Sequence, residues 1–383
     1  MDSSTSSHAS PSLPSYWETR QARLPALLAA ANLDALALNA GPTLTYLLGM
    51  EFHLSERPVI ALFAPDQHPT LILPQLEAAK PASAPFPINV FTYGEDPDSW
   101  KLVFSQAFAA VGLEQAHLGI EPLRLRYLEL AILQDAAPAA RILPAETLLN
   151  GLRMYKDSSE IAAMQRAVVI AQEALAATLP QIRIGMSERD LAAELTLQLL
   201  RHGSDSQFPF APIVSGGPNS ANPHASPSAR PLAAGDLLVI DWGANFEGYA
   251  SDLTRTFAVG EPEPELARIA AITLEANAAG RAAARPGVSA HAVDHAARFV
   301  IEAAGYGPYF IHRTGHGLGL EAHEPPYIRP ENGMLLAEGM TFTVEPGIYL
   351  PERNGVRIED NVVITADGAI TLSDFPRELQ VVG

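Results

Sequence analysis

Apolar positions divide the chain into short periodic segments. Leu24, Leu27, Leu28 and Ala31 recur at the spacing of one helical face. Apolar runs of strand length follow at residues 33–38, 59–63, 70–73 and 88–93, each bounded by Gly, Pro or Asp. Residues 117–120 read as another strand and 123–135 as a helix. Strands mixed with helices in this way predict an α/β domain over residues 16–147. Residues 1–15, rich in Ser and Pro, bury too little apolar surface to offset ordering and are expected to form a disordered tail. The texture changes near Pro144–Lys156, and a second domain is placed at 150–383. It opens with a long helical pattern carrying Ile161, Met164, Val168 and Ala171, with Ser158 expected as the cap and Glu160 at the positive end of the dipole.

The second domain repeats itself. Glu173-Ala174-x-Ala176-Ala177 returns as Glu275-Ala276-x-Ala278-Ala279, and Gly185-Met186-Ser187 as Gly287-Val288-Ser289, both offset by 102 residues. Ser187 and Ser289 each suit the cap of a following helix. The run Gly235–Asp241 aligns with Gly339–Glu345 at an offset of 104. Two such halves related by a pseudo-twofold axis would bring Asp241 and Glu345 together.

Those carboxylates close apolar runs. Asp252 follows Asp241 by 11 residues across an expected hairpin turning at Asn245–Gly248. Glu359 follows Glu345 by 14 residues across a second, with Asn354-Gly355 as its expected two-residue turn. Each acid taken singly also fits a turn or strand edge facing water. Together, four carboxylates on strands that read as buried would repel one another unless cations lie between them. Their four negative charges balance two divalent cations, as a two-metal hydrolytic site requires.

Histidines add ligand chemistry. The segment 312–326 carries His312, His316 and His323 among Gly315, Gly317 and Gly319. Glycines let the backbone approach a site, and neutral imidazole ligates transition metals or donates to a developing oxyanion. A glycine-rich surface loop reads the same way, whereas a dinucleotide loop needs a different spacing. His224 ends a Pro- and Asn-rich loop 17 residues before Asp241. His202, His291 and His295 fall on helical patterns as surface residues.

Composition narrows the class. The 383 residues are 48% hydrophobic and carry a formal charge of −18, which disfavours nucleic acid as a partner. Cysteine is absent, excluding thiol nucleophiles, disulfides and cysteine-ligated zinc. No apolar run approaches the roughly 18 residues of a membrane span, and the N-terminus shows no secretory leader. A cytoplasmic protein without a membrane partner is expected.

The ordered set Asp241, Asp252, His316, Glu345 and Glu359 has distinctive flanks: Gly315-His316-Gly317-Leu318-Gly319, His323-Glu324, Val344-Glu345-Pro346-Gly347-Ile348-Tyr349 and Gly355-Val356-Arg357-Ile358-Glu359-Asp360. In this it resembles the M24 metallopeptidases of pita-bread fold. The preceding domain is similar to that of the proline-peptidase (M24B) branch, which includes prolidase, aminopeptidase P and creatinase. The resemblance implies an α/β plus α+β chain: a creatinase/prolidase-like N-terminal α/β domain, then a pita-bread catalytic domain with an internal pseudo-twofold repeat. It further implies that Asp252, His316 and Glu345 hold one metal side and Asp241 chelates the other, with Glu359 and Asp252 bridging. Glu345 would also shuttle a proton, His224 face the scissile bond and His323 stabilise the gem-diolate. His312 and Arg357 would shape the proline side.

The implied activity is hydrolysis of a peptide bond involving proline in short peptides. An Xaa-Pro dipeptidase leads, ahead of an aminopeptidase P or a proline-associated carboxypeptidase. A metal-free creatinase-type hydrolase or a non-catalytic pita-bread module should lack ligands that are all present here. A dipeptidase needs a cation for the terminal carboxylate; Arg357 and Arg329 are the candidates, with Arg313 and Arg353 set aside for their turn-like or glycine-rich surroundings. The hard, oxygen-rich donor set suits two Mn²⁺ ions, with Co²⁺ or Zn²⁺ as alternatives. A homodimer is implied by the family.

Overall fold

A computed structural model describes residues 16–383, so the expected tail lies outside the described residues. The chain divides into two compact units, one ending at Arg153 and the other spanning Met154–Gly383. The first contains α1 (Tyr16–Gln21), α2 (Leu24–Ala31), β1 (Ala35–Asn39), α3 (Pro42–Leu48), β2 (Ile60–Phe63), β3 (Thr70–Pro74), β4 (Asn89–Tyr93), α4 (Trp100–Val111), β5 (His117–Ile120), α5 (Tyr127–Ala136), β6 (Arg141–Pro144) and α6 (Glu146–Arg153). Its six strands form one mixed sheet, ordered β4-β3-β2-β1-β5-β6. Strands β1, β2 and β3 are buried along their whole length, which explains their unbroken apolar runs. The helix expected from Leu123 begins at Tyr127 instead. A turn on the Glu121 carbonyl precedes it, and Glu129 accepts from the Arg126 N–H at its start.

The second unit begins with α7 (Ser158–Thr178) and α8 (Glu188–Arg201), followed by β7 (Ile213–Gly216), β8 (Leu237–Trp242), β9 (Asn245–Phe246), β10 (Tyr249–Ala250) and β11 (Leu253–Val259). A second helix pair, α9 (Pro264–Ala283) and α10 (Ala290–Ala303), leads to β12 (Gly315–Gly317), β13 (Glu324–Ile328), β14 (Thr341–Val344), β15 (Gly347–Leu350), β16 (Asn354–Arg357), β17 (Asp360–Thr365), β18 (Gly368–Thr371) and β19 (Gln380–Val382). Asp157, not Ser158, caps α7: its carboxylate accepts from the N–H groups of Ser159 and Glu160, and Glu160 returns a bond to the Asp157 N–H. Ser187 and Ser289 both cap their helices.

The two halves repeat in space. Strands β19-β11-β8-β7 form one sheet and β13-β12-β14-β17-β18 the other. Asp241 pairs with Thr254 across β8 and β11, and Thr254 forms an isolated bridge with Glu359. Three positions from both halves therefore stand side by side across the seam. The first hairpin turns at Glu247 and Gly248, both at positive φ, as a tight two-residue turn requires. The second does not turn at Asn354-Gly355. It turns over residues 351–353, with Glu352 at φ 61°, and Asn354 and Gly355 lie inside β16. Packing explains both residues. A Cβ at Gly355 would stand 1.9 Å from the Ser220 carbonyl oxygen, and the Asn354 side chain accepts from the Leu237 N–H.

Candidate metal centre

Of the four expected acids only Asp241 lies within a strand. Asp252 stands between β10 and β11, Glu345 just after β14 and Glu359 between β16 and β17. Strand ends leave their side chains room to converge. The donor oxygens of Asp241, Asp252 and Glu359 lie within 4.8 Å of one another. Two further groups meet the same limit, His316 with Glu345 and Glu359, and Asp252 with His316 and His323. Asp241, Asp252, His316 and Glu359 are 9%, 4%, 3% and 2% exposed.

Each acid is held by neighbours. Arg357 Nη2 donates to Asp241 Oδ2 at 2.7 Å, and Thr254 Oγ1 donates to Glu359 Oε2 at 2.7 Å. Thr343 Oγ1 donates to Glu345 Oε1 at 3.2 Å. The Asn361 side chain accepts from the Asp252 N–H and donates to its carbonyl. Asp241 Oδ1 is buried without a hydrogen-bond partner. Burial first, then the neighbouring carboxylates, push Asp252 and Glu359 well above the usual carboxylate range. Burial would also raise Glu345, but its hydrogen bond and charge interaction with His316 draw it down to about 2.

The imidazoles are oriented too. His316 Nδ1 lies 3.1 Å from the Gly317 carbonyl oxygen, which can only accept, so Nδ1 carries the proton. Nε2 faces Glu345 at 3.2 Å and Asp252 at 3.7 Å; as imidazolium it donates to Glu345, and as neutral imidazole it turns its lone pair on both carboxylates. A lone pair facing two carboxylates is repulsive, and a cation between them turns that repulsion into coordination. Together with the orphaned Asp241 oxygen, this donor set fits divalent metal. The His323 ring lies 3.9 Å from that of His316, tilted by 49°; although the residue as a whole is exposed, the crowding of its ring by the protein, followed by His316 and Arg313, lowers it to about 4. His224 is exposed but close enough for its charge to weigh on His323.

His312 is fixed through both nitrogens. Nδ1 donates to the Arg313 carbonyl at 2.7 Å, so Nε2 accepts from the Tyr349 hydroxyl at 2.8 Å. That hydroxyl accepts in turn from Arg357 Nη1 at 2.9 Å.

Two candidates for a substrate carboxylate are placed otherwise than expected. Arg357 is buried against Asp241 and Tyr349, its guanidinium already satisfied by the protein. Arg329 is exposed and donates to the carbonyl of its neighbour Pro330; no hydrogen bond or ion pair among the described residues ties it to the acids or histidines.

Several supporting residues escaped the sequence reading. Arg255 donates to the main-chain carbonyls of Thr254 and Glu359 and to Asp360, which also accepts from Arg377. From α10, Asp294 binds the Thr314 N–H and hydroxyl, while Arg298 holds the carbonyls of Phe310 and His312. A signal existed for Arg255, a cation inside the otherwise strand-like run Leu253–Val259. Asp294 gave none, because its partner Thr314 lies 20 residues away and is held as much by its backbone N–H as by its hydroxyl.

Comparison with known proteins agrees with this geometry. The model of metallopeptidase family M24 matches residues 162–366. The chain belongs to family M24. The creatinase/prolidase N-terminal domain matches residues 20–155 of this M24 enzyme. A probable dipeptidase PepE from Mycobacterium tuberculosis is 38% identical, covering 94% of this chain and 96% of its own. An Xaa-Pro dipeptidase from Lactobacillus helveticus is 34% identical over 92% and 96%. Among solved structures, a recombinant prolidase from Thermococcus sibiricus superposes with a TM-score of 0.90 at 32% identity, covering 97% of this chain and all of that one. The second unit accordingly has the pita-bread fold, and this M24 enzyme is a hydrolase that uses divalent metal.

Proposed function

We propose that the protein is an Xaa-Pro dipeptidase with a dinuclear centre held by Asp241, Asp252, His316, Glu345 and Glu359. The observation that carries this reading is the convergence of Asp241, Asp252, Glu345, Glu359 and His316 in overlapping donor groups, with one buried Asp241 oxygen left for a ligand the protein does not supply. Similarity to proteins named Xaa-Pro dipeptidase and prolidase supports the substrate class. Mn²⁺ is the expected metal, since carboxylate-rich sets favour hard cations.

Divalent ions in this site supply Lewis acidity to the scissile carbonyl and make water a stronger acid. The protein's own groups do the rest. Glu345 accepts the proton of the attacking water and returns it to the departing proline nitrogen. His323, at the rim beside His316, donates to the oxygen on which negative charge develops. His224 covers the scissile bond from its loop, which Arg357 ties down through the Pro223 carbonyl. His312, its tautomer set by Tyr349, borders the proline side.

Product analysis on proline-containing peptides of two to five residues with Mn²⁺ tests the reading. Cleavage confined to Xaa-Pro dipeptides is expected. Release of the N-terminal residue from longer Xaa-Pro peptides would make it an aminopeptidase P, and release of only the C-terminal residue a carboxypeptidase. Cytoplasmic residence and a homodimer complete the proposal; none of the described helices is long and apolar enough to cross a membrane. Sedimentation of the purified chain tests the dimer.

A further inference from the structure

The two glutamates of the second half leave their sheet where its ladder stops. Strand β14 pairs with β17 from Thr341 to Val344, whose partner is Asp360. Glu345 and Glu359 come one residue beyond that last pair. Pairing resumes between Gly347 and Arg357, in a separate two-stranded sheet. The first half has no such break at its acid. Asp241 lies inside the β8–β11 ladder, with Ile240 and Trp242 paired on either side of it. Buried carbonyls at the end of a ladder need donors from elsewhere.

One side chain supplies them. Asn277 on α9 is fully buried, and its Nδ2 donates to the Val344 carbonyl at 2.9 Å and to the Ile358 carbonyl at 3.3 Å. These are the residues immediately before Glu345 and Glu359. A primary amide has two N–H donors, one for each carbonyl. Its orientation is fixed from behind: Arg281 Nε, which can only donate, meets Asn277 Oδ1 at 2.8 Å. Arg281 Nε also lies 3.5 Å from Asp360 Oδ2, next in sequence to Glu359. The helix comes close enough because of Gly280, where a Cβ would stand 2.8 Å from Val344 Cγ1. The internal repeat shows the amide to be particular to this half. At the same offset that relates the two helices, Asn277 corresponds to Leu175, which is fully buried and apolar. Packing at this helix position therefore does not by itself call for an amide.

We propose that Asn277 is a positioning residue for the metal centre: by tying the main chain before Glu345 to that before Glu359, it fixes the distance between the two glutamates, and Arg281 keeps its amide facing them. This rests on the reading above of both glutamates as metal ligands. Without the amide, two buried carbonyls lose their shared donor, and a 3.4 Å bond from the Ile358 N–H to the Pro346 carbonyl remains between the two segments. The carboxylates they carry then meet the ions at a spacing the protein dictates less firmly.

The test is Mn²⁺ titration calorimetry on the metal-stripped full-length protein and its Asn277→Leu and Asn277→Gln variants, with melting temperatures alongside. The first substitution keeps the volume and loses both donors. The second keeps both donors and adds a methylene to a packed site. A positioning role predicts that Asn277→Leu weakens Mn²⁺ binding by roughly 10- to 100-fold, the scale of losing a partner that orients a metal ligand. It also predicts that Asn277→Gln weakens binding less. A packing role predicts the reverse order, because overpacking is then the larger disturbance. Asn277→Leu binding Mn²⁺ within about 3-fold of the unmodified protein, well below that scale, overturns the proposal, whatever happens to the melting temperature. So does Asn277→Leu binding at least as tightly as Asn277→Gln. Should either variant fail to fold, Arg281→Ala decides: it leaves Asn277 in place but frees its amide to turn, and Mn²⁺ affinity should fall. Unchanged affinity there overturns the proposal. An unmodified protein that binds no Mn²⁺ overturns instead the metal-centre reading on which the proposal rests.

Discussion

Asp252 and Glu345 face the same imidazole nitrogen, and neither can be ionised there without a compensating charge. Truncating either one removes a donor while relieving repulsion among those that remain. Asp252→Ala and Glu345→Ala should therefore fold, bind little metal and lose nearly all activity. Metal analysis beside circular dichroism checks this, and near-normal metal content with normal turnover in both variants would contradict the assignment. His323 differs in kind, standing exposed at the rim with its ring tilted against that of His316. His323→Ala should lower kcat by roughly 10²-fold, as for loss of an oxyanion donor, with metal retained. If metal is lost instead, His323 is a ligand.

At the scale of elements, the close approach of β12 to β14 sets the position of His316. A Cβ at Gly315 would lie 1.8 Å from the Thr343 carbonyl oxygen, and one at Gly317 would lie 2.2 Å from the Pro325 carbonyl oxygen. The glycines of this segment admit neighbouring backbone, so that His316 can reach the acids from a strand packed on both sides. Gly315→Ala should force β12 from β14, destabilise the protein by about 1–3 kcal/mol, as overpacking does, and reduce metal affinity. Thermal unfolding and metal titration read the two effects. Full stability with normal affinity would show that the strands can part without cost. The same scale explains a departure from expectation. Asn354-Gly355 has the composition of a two-residue turn, yet Gly355 is required by contact with Ser220 and Asn354 by its bond to Leu237.

Over the whole molecule, the centre joins the two halves of the pita-bread unit, so its charge balance bears on the stability of that unit. Burial, followed by mutual repulsion, raises Asp252 and Glu359 above their unfolded values. A carboxyl raised in the folded state binds its proton more tightly there. The stability it contributes is complete below the unfolded pKa, near ~4, and is lost as pH rises through the folded value. Metal-free protein should thus weaken as pH rises above the ordinary carboxylate range, relative to metal-loaded protein in which cations keep the acids ionised. Binding at a hundredfold excess over Kd adds about 2.7 kcal/mol by mass action alone. Melting temperatures with EDTA and with Mn²⁺ across this range should show a gap that widens with pH. A constant or narrowing gap would contradict the charge-balance argument.

The sequence by itself determined the element types, the repeat and the identity of the acids and histidines. Burial writes apolar runs into strands such as β2 and β8, and a carboxylate closing such a run is conspicuous because it is costly. Tertiary structure alone decided what surrounds them. Asp294 reaches Thr314, Arg255 reaches Glu359 and Arg357 reaches Asp241 over 20, 104 and 116 residues. The role of an arginine was least readable, since a guanidinium looks the same in sequence whether it serves an internal acid or solvent. Arg357 and Arg329 differ only in which acceptors the fold brings within hydrogen-bond reach.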